Sequence, residues 1–145
     1  MSRENVEIVR AVLEAYRDPE LIPLLASGDV DLGWVDPHIE WDASRLEEMI
    51  PDLAEVFHGH DGVRTYWRRW FEAWGDLEFE VADVLDAGDD VVALIVNQRQ
   101  WGRHTGIVTE LPPYAQVFTL RDERLVRWRT FPDQAQALQA VGLSQ

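Results

Sequence analysis

From residue 2 onward the apolar side chains Val6, Val9, Leu13 and Tyr16, with Ile8 and Val12 beside them, recur at helical spacing. The run opens at Ser2 and stops at Asp18-Pro19, because proline cannot continue the backbone ladder. A second, short helix is predicted from Glu20 to Ala26, where Leu21, Leu24 and Leu25 are apolar and Ser27-Gly28 forms a C-terminal stop. Trp34 to Asp42 mixes β-branched and aromatic residues with Pro37, which suits a short edge strand or an extended entry into a sheet. From Ala43 to Val56 the pattern is weak; Arg45 to Met49 can form a helical turn over a pocket mouth, ended by Pro51.

The strongest helical pattern follows. Asp61 is the predicted cap of a third helix in which Val63, Tyr66, Trp67, Trp70 and Trp74 share one face while Arg64, Arg68, Arg69 and Glu72 lie opposite, and Gly75-Asp76 is its predicted end. Strand signals then run from Leu77 to Leu85, Val91 to Trp101, Ile107 to Leu111 continuing to Tyr114 to Leu120, and Leu125 to Phe131. Gly88-Asp89-Asp90 and Arg121-Asp122-Glu123 read as hairpin turns, and Asp133 as the cap of a last short helix ending at Val141-Gly142. Helices first and consecutive hairpins afterwards predict an α+β fold: a curved antiparallel sheet wrapped by three N-terminal helices into a cone, with a short C-terminal helix. A cone of this kind leaves a pocket.

At 145 residues, without repeat, linker or low-complexity tract, the chain reads as one domain spanning 1–145. An apolar share of 46%, with seven Trp, five Phe and three Tyr, supplies the aromatic surface that a packed core needs. The net charge of −14 changes the list of partners, since a field of that sign repels phosphate backbones and anionic lipid. Neither nucleic acid nor a membrane is expected as a partner. No basic-then-apolar leader and no long apolar run is seen, so the expected location is cytoplasmic. The absence of Cys excludes disulfides, thiolate zinc sites and cysteine nucleophiles.

The segment from Phe57-His58-Gly59-His60-Asp61-Gly62-Val63 to Trp67 resembles the start of the long helix in SnoaL-like and other nuclear-transport-factor-2-like proteins. The resemblance extends along Asp83 to Asn97 and through Tyr114-Ala115-Gln116-Val117-Phe118 to the closing Asp133-Gln134-Ala135-Gln136-Ala137-Leu138, nearly the whole chain. One departure is Glu123, where relatives usually have Gly in the turn. The resemblance implies the cone and a habit of forming homodimers. It does not name a reaction, since the family holds isomerases, cyclases, dehydratases, epoxide hydrolases and members that only bind or assemble. Laid on the ketosteroid-isomerase pattern, the oxyanion-stabilising acid falls on Gln116, the proton-shuttling carboxylate on or beside Trp41, and the tyrosine donor near Val12, so none of these three residue types is kept.

Gln116 alternates with Tyr114 and Phe118, so the three share one strand face, opposite Ala115, Val117 and Thr119. If that face lines the cone, Gln116 brings a neutral donor and acceptor to an apolar pocket; the other reading is a core amide paired with a group such as Gln98. Tyr66, Trp70 and Trp74 form an aromatic stripe that serves either as plain core or as ligand wall, with Tyr66 able to present a hydroxyl and Trp41 and Trp128 expected to line the same space. Three residues are candidates for proton transfer: Asp42, one position from the family's base; Tyr66; and His38, whose intrinsic pKa is near neutrality. His58 and His60 lack a regularly placed third ligand, so no metal site is expected, and His104 lies in a turn. No phosphate-cradling glycine loop, serine triad or nucleotide signature is present, and no cofactor is expected. With Trp128 inward, Arg127 and Arg129 face the convex side, where they can meet acids of a partner subunit; the opposite facing would imply an anionic ligand. The expected function is binding of a small, mostly apolar, oxygen-bearing molecule, with proton-transfer chemistry of the isomerase, cyclase, dehydratase or hydratase type if an inward carboxylate meets an open pocket. An open pocket without one points to a non-catalytic binding module. A pocket blocked by Trp41, Trp70 and Trp128 points to a structural dimer.

Overall fold

In the computed structural model, which describes residues 2–28, 32–47 and 53–143, the N-terminal apolar repeat forms α1 (Ser2–Ala15), with Val9 and Leu13 buried. After the break at Asp18-Pro19 comes α2 (Leu21–Ser27). Gly28 closes α2 at φ 85°, a left-handed turn that lets its N–H reach the Leu24 and Leu25 carbonyls, and only glycine adopts that backbone without strain.

β1 (Val35–Asp42) is not an edge strand, although Pro37 suggested one. It pairs with β2 (Val56–His58) on one side and β7 (Arg124–Phe131) on the other. Pro37 is tolerated because the β1–β7 register is interrupted between Val35 and Glu40, so no ladder N–H is required there. A 3₁₀ turn at Ser44–Leu46 follows β1; Met49 and Pro51, the rest of the turn expected there, lie outside the described residues.

α3 (Gly59–Ala73) buries Val63, Tyr66, Trp67 and Trp70. Asp61 does not cap it. The helix starts three residues earlier, with His58 at the cap position, and Asp61 lies in the first turn, where a carboxylate complements the helix dipole. Trp74 is not on this helix either, because the chain turns directly into β3 (Trp74–Ala87) at Trp74, and Gly75-Asp76 belong to the strand. β4 (Asp90–Gly102) returns along β3. The predicted third strand is two: β5 (Val108–Glu110), paired only with β4, and β6 (Tyr114–Arg121), separated by Leu111-Pro112-Pro113. β6 and β7 join through Asp122 and Glu123, both at positive φ (53° and 64°). Asp133 caps α4 (Gln134–Ala140) by accepting from the Ala135 N–H at 2.8 Å.

Among the described residues the seven strands run in the order β2-β1-β7-β6-β4-β3, with β5 beside β4. The pairs are antiparallel except β1–β7, which is parallel, so the sheet is mixed. Register shifts in the β3–β4 ladder, one of them beside Asn97 at φ 52°, bend the long hairpin and curve the sheet. The concave face carries the main core with α1, α2 and α3. The opposite face buries Val92, Ala115, Val117 and Phe131 against Ala137 of α4. No helix among the described residues is long and apolar enough to cross a membrane.

Candidate functional site

The bend of β3, β4, β6 and β7 over α1 and α3 leaves a cavity of about 60 Å³. Its walls are mainly aromatic: Tyr16, Trp34, Trp41, Tyr66, Trp67, Trp70, Phe79, Tyr114, Phe118 and Trp128, with Gln98, Gln116 and Thr130 among them. The alternation of β6 puts Tyr114, Gln116 and Phe118 on this wall and Ala115 and Val117 behind it. Tyr66 stands edge-on to Phe57 and Trp67, with centroids 5.5 and 5.0 Å away, and Trp67 packs on Tyr16 at 5.2 Å.

Three polar groups of the wall, Gln116, Tyr114 and Gln98, are joined in one chain. Gln116 Nε2 donates to Tyr114 Oη at 3.4 Å, Tyr114 Oη donates to Gln98 Oε1 at 2.5 Å, and Gln98 Nε2 donates to Gln100 Oε1 at 3.1 Å. Gln100, with no exposed surface, ends the chain, and its Nε2 has no partner among the described residues. The indole N–H groups of Trp41 and Trp67 are likewise buried without a hydrogen bond. Trp67 lies close to the Tyr16 hydroxyl, but not in bonding geometry. Burial pushes the pKa values of Tyr16, Tyr66 and Tyr114 well above that of an ordinary phenol; Tyr66 is raised further by the neighbouring Tyr114 and Tyr16 hydroxyls. At neutral pH all three are therefore hydrogen-bond donors that keep their protons.

The candidate bases are elsewhere. Asp42 is buried but follows the inward Trp41 by one residue and so faces the other side of the sheet. There its carboxylate accepts from the Ser44 N–H and Oγ at 3.0 and 2.5 Å and from Arg45 Nη1 at 3.0 Å. Burial raises its pKa, but the Ser44 bonds and the Arg45 guanidinium together outweigh burial and hold the carboxyl below its usual value. His38 is exposed and does not line the cavity. His60 Nε2 meets the Val35 carbonyl oxygen at 2.7 Å, and His58 and His104 are exposed. Among the described residues no Asp, Glu, His or Arg lines the cavity, and no three metal-ligating side chains cluster. Arg127 and Arg129 lie on the convex face, Arg127 Nε 2.8 Å from Glu40 and Arg129 Nη2 3.8 Å from Asp90.

Two polar groups, one in the wall and one bonded behind it, escape a reading by pattern. Tyr16 counts as one more apolar position of the first helix, and Gln100 carries no signal beyond its two-residue spacing from Gln98. At the β3–β4–β5 side, Leu77, Phe79, Gln98 and Leu111 are shared with an open, charged depression that includes Arg17, Glu78, Arg99 and Glu110. Arg17 spans this rim, donating to the Phe79 carbonyl at 3.2 Å with its guanidinium 5.0 Å from the Phe79 ring.

A curved mixed sheet closed by helices around a mostly aromatic cavity defines a nuclear-transport-factor-2-like cone. The sequence profile of the SnoaL-like domain matches residues 20–128, and the chain belongs to that family. No curated protein matches the sequence. Among solved structures, the fold is similar to that of an NTF2-like protein of unknown function from Burkholderia pseudomallei (20% identity, TM-score 0.69, covering 94% of this chain and 96% of that one). It is similar to TerC co-crystallised with polyporic acid (19% identity, TM-score 0.68, covering 95% and 98%). It is also similar to an LEH-like epoxide hydrolase of Mycobacterium tuberculosis (15% identity, TM-score 0.63, covering 90% and 83%). At these identities the likeness carries the fold alone.

Proposed function

We propose that this protein binds an uncharged, mostly apolar molecule bearing a hydrogen-bond-accepting oxygen, and holds it without general acid-base chemistry. One observation carries this reading: the cavity wall combines aromatic surface with neutral donors, including buried unpartnered ones, and among the described residues contains no group that titrates near neutrality. Buried donors without partners favour a ligand that supplies acceptors. A charged ligand would find no counter-charge in the wall. Tyr66 and Gln116 are the proposed polar contacts, with Trp41, Trp70, Gln98, Tyr114, Phe118 and Trp128 forming the surrounding wall. Asp42 and His38 have no part in this reading. A phenol with a raised pKa polarises a carbonyl by donating a hydrogen bond but does not abstract a proton at neutral pH. TerC, similar in fold, was co-crystallised with polyporic acid, an oxygenated small molecule, which is in keeping with this reading.

The test is a melting-temperature screen against small cyclic ketones and lactones, followed by titration calorimetry of each hit. Saturable binding of neutral carbonyl compounds is expected; a preference for carboxylates or amines would overturn the reading. We further propose a homodimer formed through the convex sheet face, where Glu40, Arg127 and Arg129 lie side by side.

A further inference from the structure

We infer that the ligand is elongated, and that its hydrocarbon part leaves the cavity into an apolar groove between α1 and α2. The inference rests on the binding reading above and deepens it. Its starting point is a mismatch of size. The cavity offers about 60 Å³, room for a few waters, whereas a small-molecule site commonly offers about 300–1,000 Å³. A molecule confined to the cavity would bury too little surface to bind firmly.

The missing volume lies next to it. A groove of about 340 Å³ is walled by α1, α2, the start of β1 and Val63 of α3, and among the described residues no charged side chain lines it. Val12, Tyr16, Trp34 and Trp41 wall both spaces, so the groove adjoins the cavity with only these four side chains between them, and a ligand that fills both has to turn them aside. On its outer lip α1 presents Ala11 and Ala15, one helical turn apart and exposed, where larger residues would fill the space. The neighbouring space on the opposite side is of another kind, with Arg17, Glu78, Glu80, Arg99 and Glu110 in its wall. An apolar extension loses nothing in the groove and would strip water from charged groups in the depression. The geometry therefore assigns the oxygen-bearing end to Gln116 and Tyr66 and the chain to the α1–α2 groove, and the ligand class is a neutral amphiphile with an alkyl or similarly slender tail.

The probes are methyl alkyl ketones from butanone to dodecanone, titrated calorimetrically into the full chain. Affinity is expected to rise about fourfold per added methylene, the ordinary gain for burying one, until the groove is filled and the series flattens. Ala11→Trp and Ala15→Trp, both on the exposed lip, are expected to flatten the series at shorter chains while leaving the shortest ketones bound within about twofold of the wild type. Gln116→Leu should lower the whole series by a constant factor without changing its slope. The slope thus reports the groove and the offset reports the cavity. A wild-type series with no slope, or a slope untouched by both Trp variants, overturns the groove assignment while leaving the cavity reading in place; an offset untouched by Gln116→Leu counts against the cavity anchor instead. Light scattering of the same variants covers the remaining occupant: if a second copy of the chain fills the groove, the Trp variants change the oligomeric state with no effect on slope, and the proposal fails.

Discussion

Trp41 and Trp128 are register partners across the parallel β1–β7 pair, and their indoles stack with centroids 4.2 Å apart at 17°. This contact fixes the facing of both strands. With the two rings turned into the cavity, Asp42, Arg127 and Arg129 are committed to the convex side, because neighbours along a strand alternate. Asp42 is thereby held outside the cavity, by Ser44 and Arg45.

Asp42 should accordingly reveal itself in the acid limb of the stability curve. Its folded pKa is depressed, so its contribution is fully present above the unfolded carboxylate value of about 3.9 and is lost as the pH falls through the folded value. Urea denaturation from pH 7 down to pH 2 should show the wild type losing more stability than Asp42→Asn over that window. At neutral pH the substitution should cost about 1–3 kcal/mol, the range for hydrogen bonds to a charged group. Equal slopes for the two proteins in the acid range would show that Ser44 and Arg45 do not hold the carboxylate in its charged form.

The β6–β7 turn offers a test of backbone strain. Asp122 and Glu123 both have positive φ, the two-residue geometry in which Gly is preferred at the second position, and a glutamate there is strained. Glu123→Gly should raise stability by about 0.5–1 kcal/mol. The change is read as a higher urea midpoint at unchanged slope, and a lower midpoint would contradict the assigned turn.

The elements with regular periods were legible in the sequence, and those set by partners distant in the chain were not. The stripe Val63, Tyr66, Trp67 and Trp70 and the alternation Tyr114, Gln116, Phe118 follow from helix and strand geometry alone. Trp74 did not, because no local breaker separates α3 from β3; the switch occurs where Trp74 pairs with Gly102. The parallel β1–β7 pairing joins segments some ninety residues apart (Trp41 with Trp128), which no window of sequence shows. The facing of β4 is hidden for a further reason. The irregularity at Asn97 resets the phase of β4, so Ile95 and Gln98 line the same cavity although an odd number of steps separates them.

For the proposed homodimer, light scattering at micromolar concentration should give twice the chain mass. Arg127→Glu places an acid beside Glu40, its present ion partner, on the convex face. Like charges directly across a strand pair repel, and an interface built there would lose its match. The variant should be monomeric with a cavity that still binds ketones; an unchanged dimer would move the interface elsewhere.

The last prediction separates ligand anchoring from core pairing along the amide–phenol chain. Gln116 sits at its partly exposed end and makes one long bond, 3.4 Å to Tyr114, whereas Gln98 sits in the middle, accepting from Tyr114 at 2.5 Å and donating to Gln100 at 3.1 Å. Gln116→Leu keeps a similar volume and leaves Tyr114 bonded to Gln98, so its folding cost should stay below about 1 kcal/mol. Gln98→Leu leaves the Tyr114 hydroxyl proton without its acceptor and takes the bond from the Gln100 amide oxygen, both buried, and should cost about 1–3 kcal/mol of stability. Ligand affinity should run the other way. Gln116→Leu removes the donor proposed to face the bound oxygen and should weaken ketone binding by about 1–3 kcal/mol, the cost of leaving that oxygen unpaired in a dry site. Gln98→Leu should weaken it less, since Gln116 can still reach the ligand. Guanidinium denaturation and calorimetry on both variants give the four numbers, and a Gln116→Leu protein that unfolds early but binds as well as the wild type would make Gln116 a core amide and end its role as anchor.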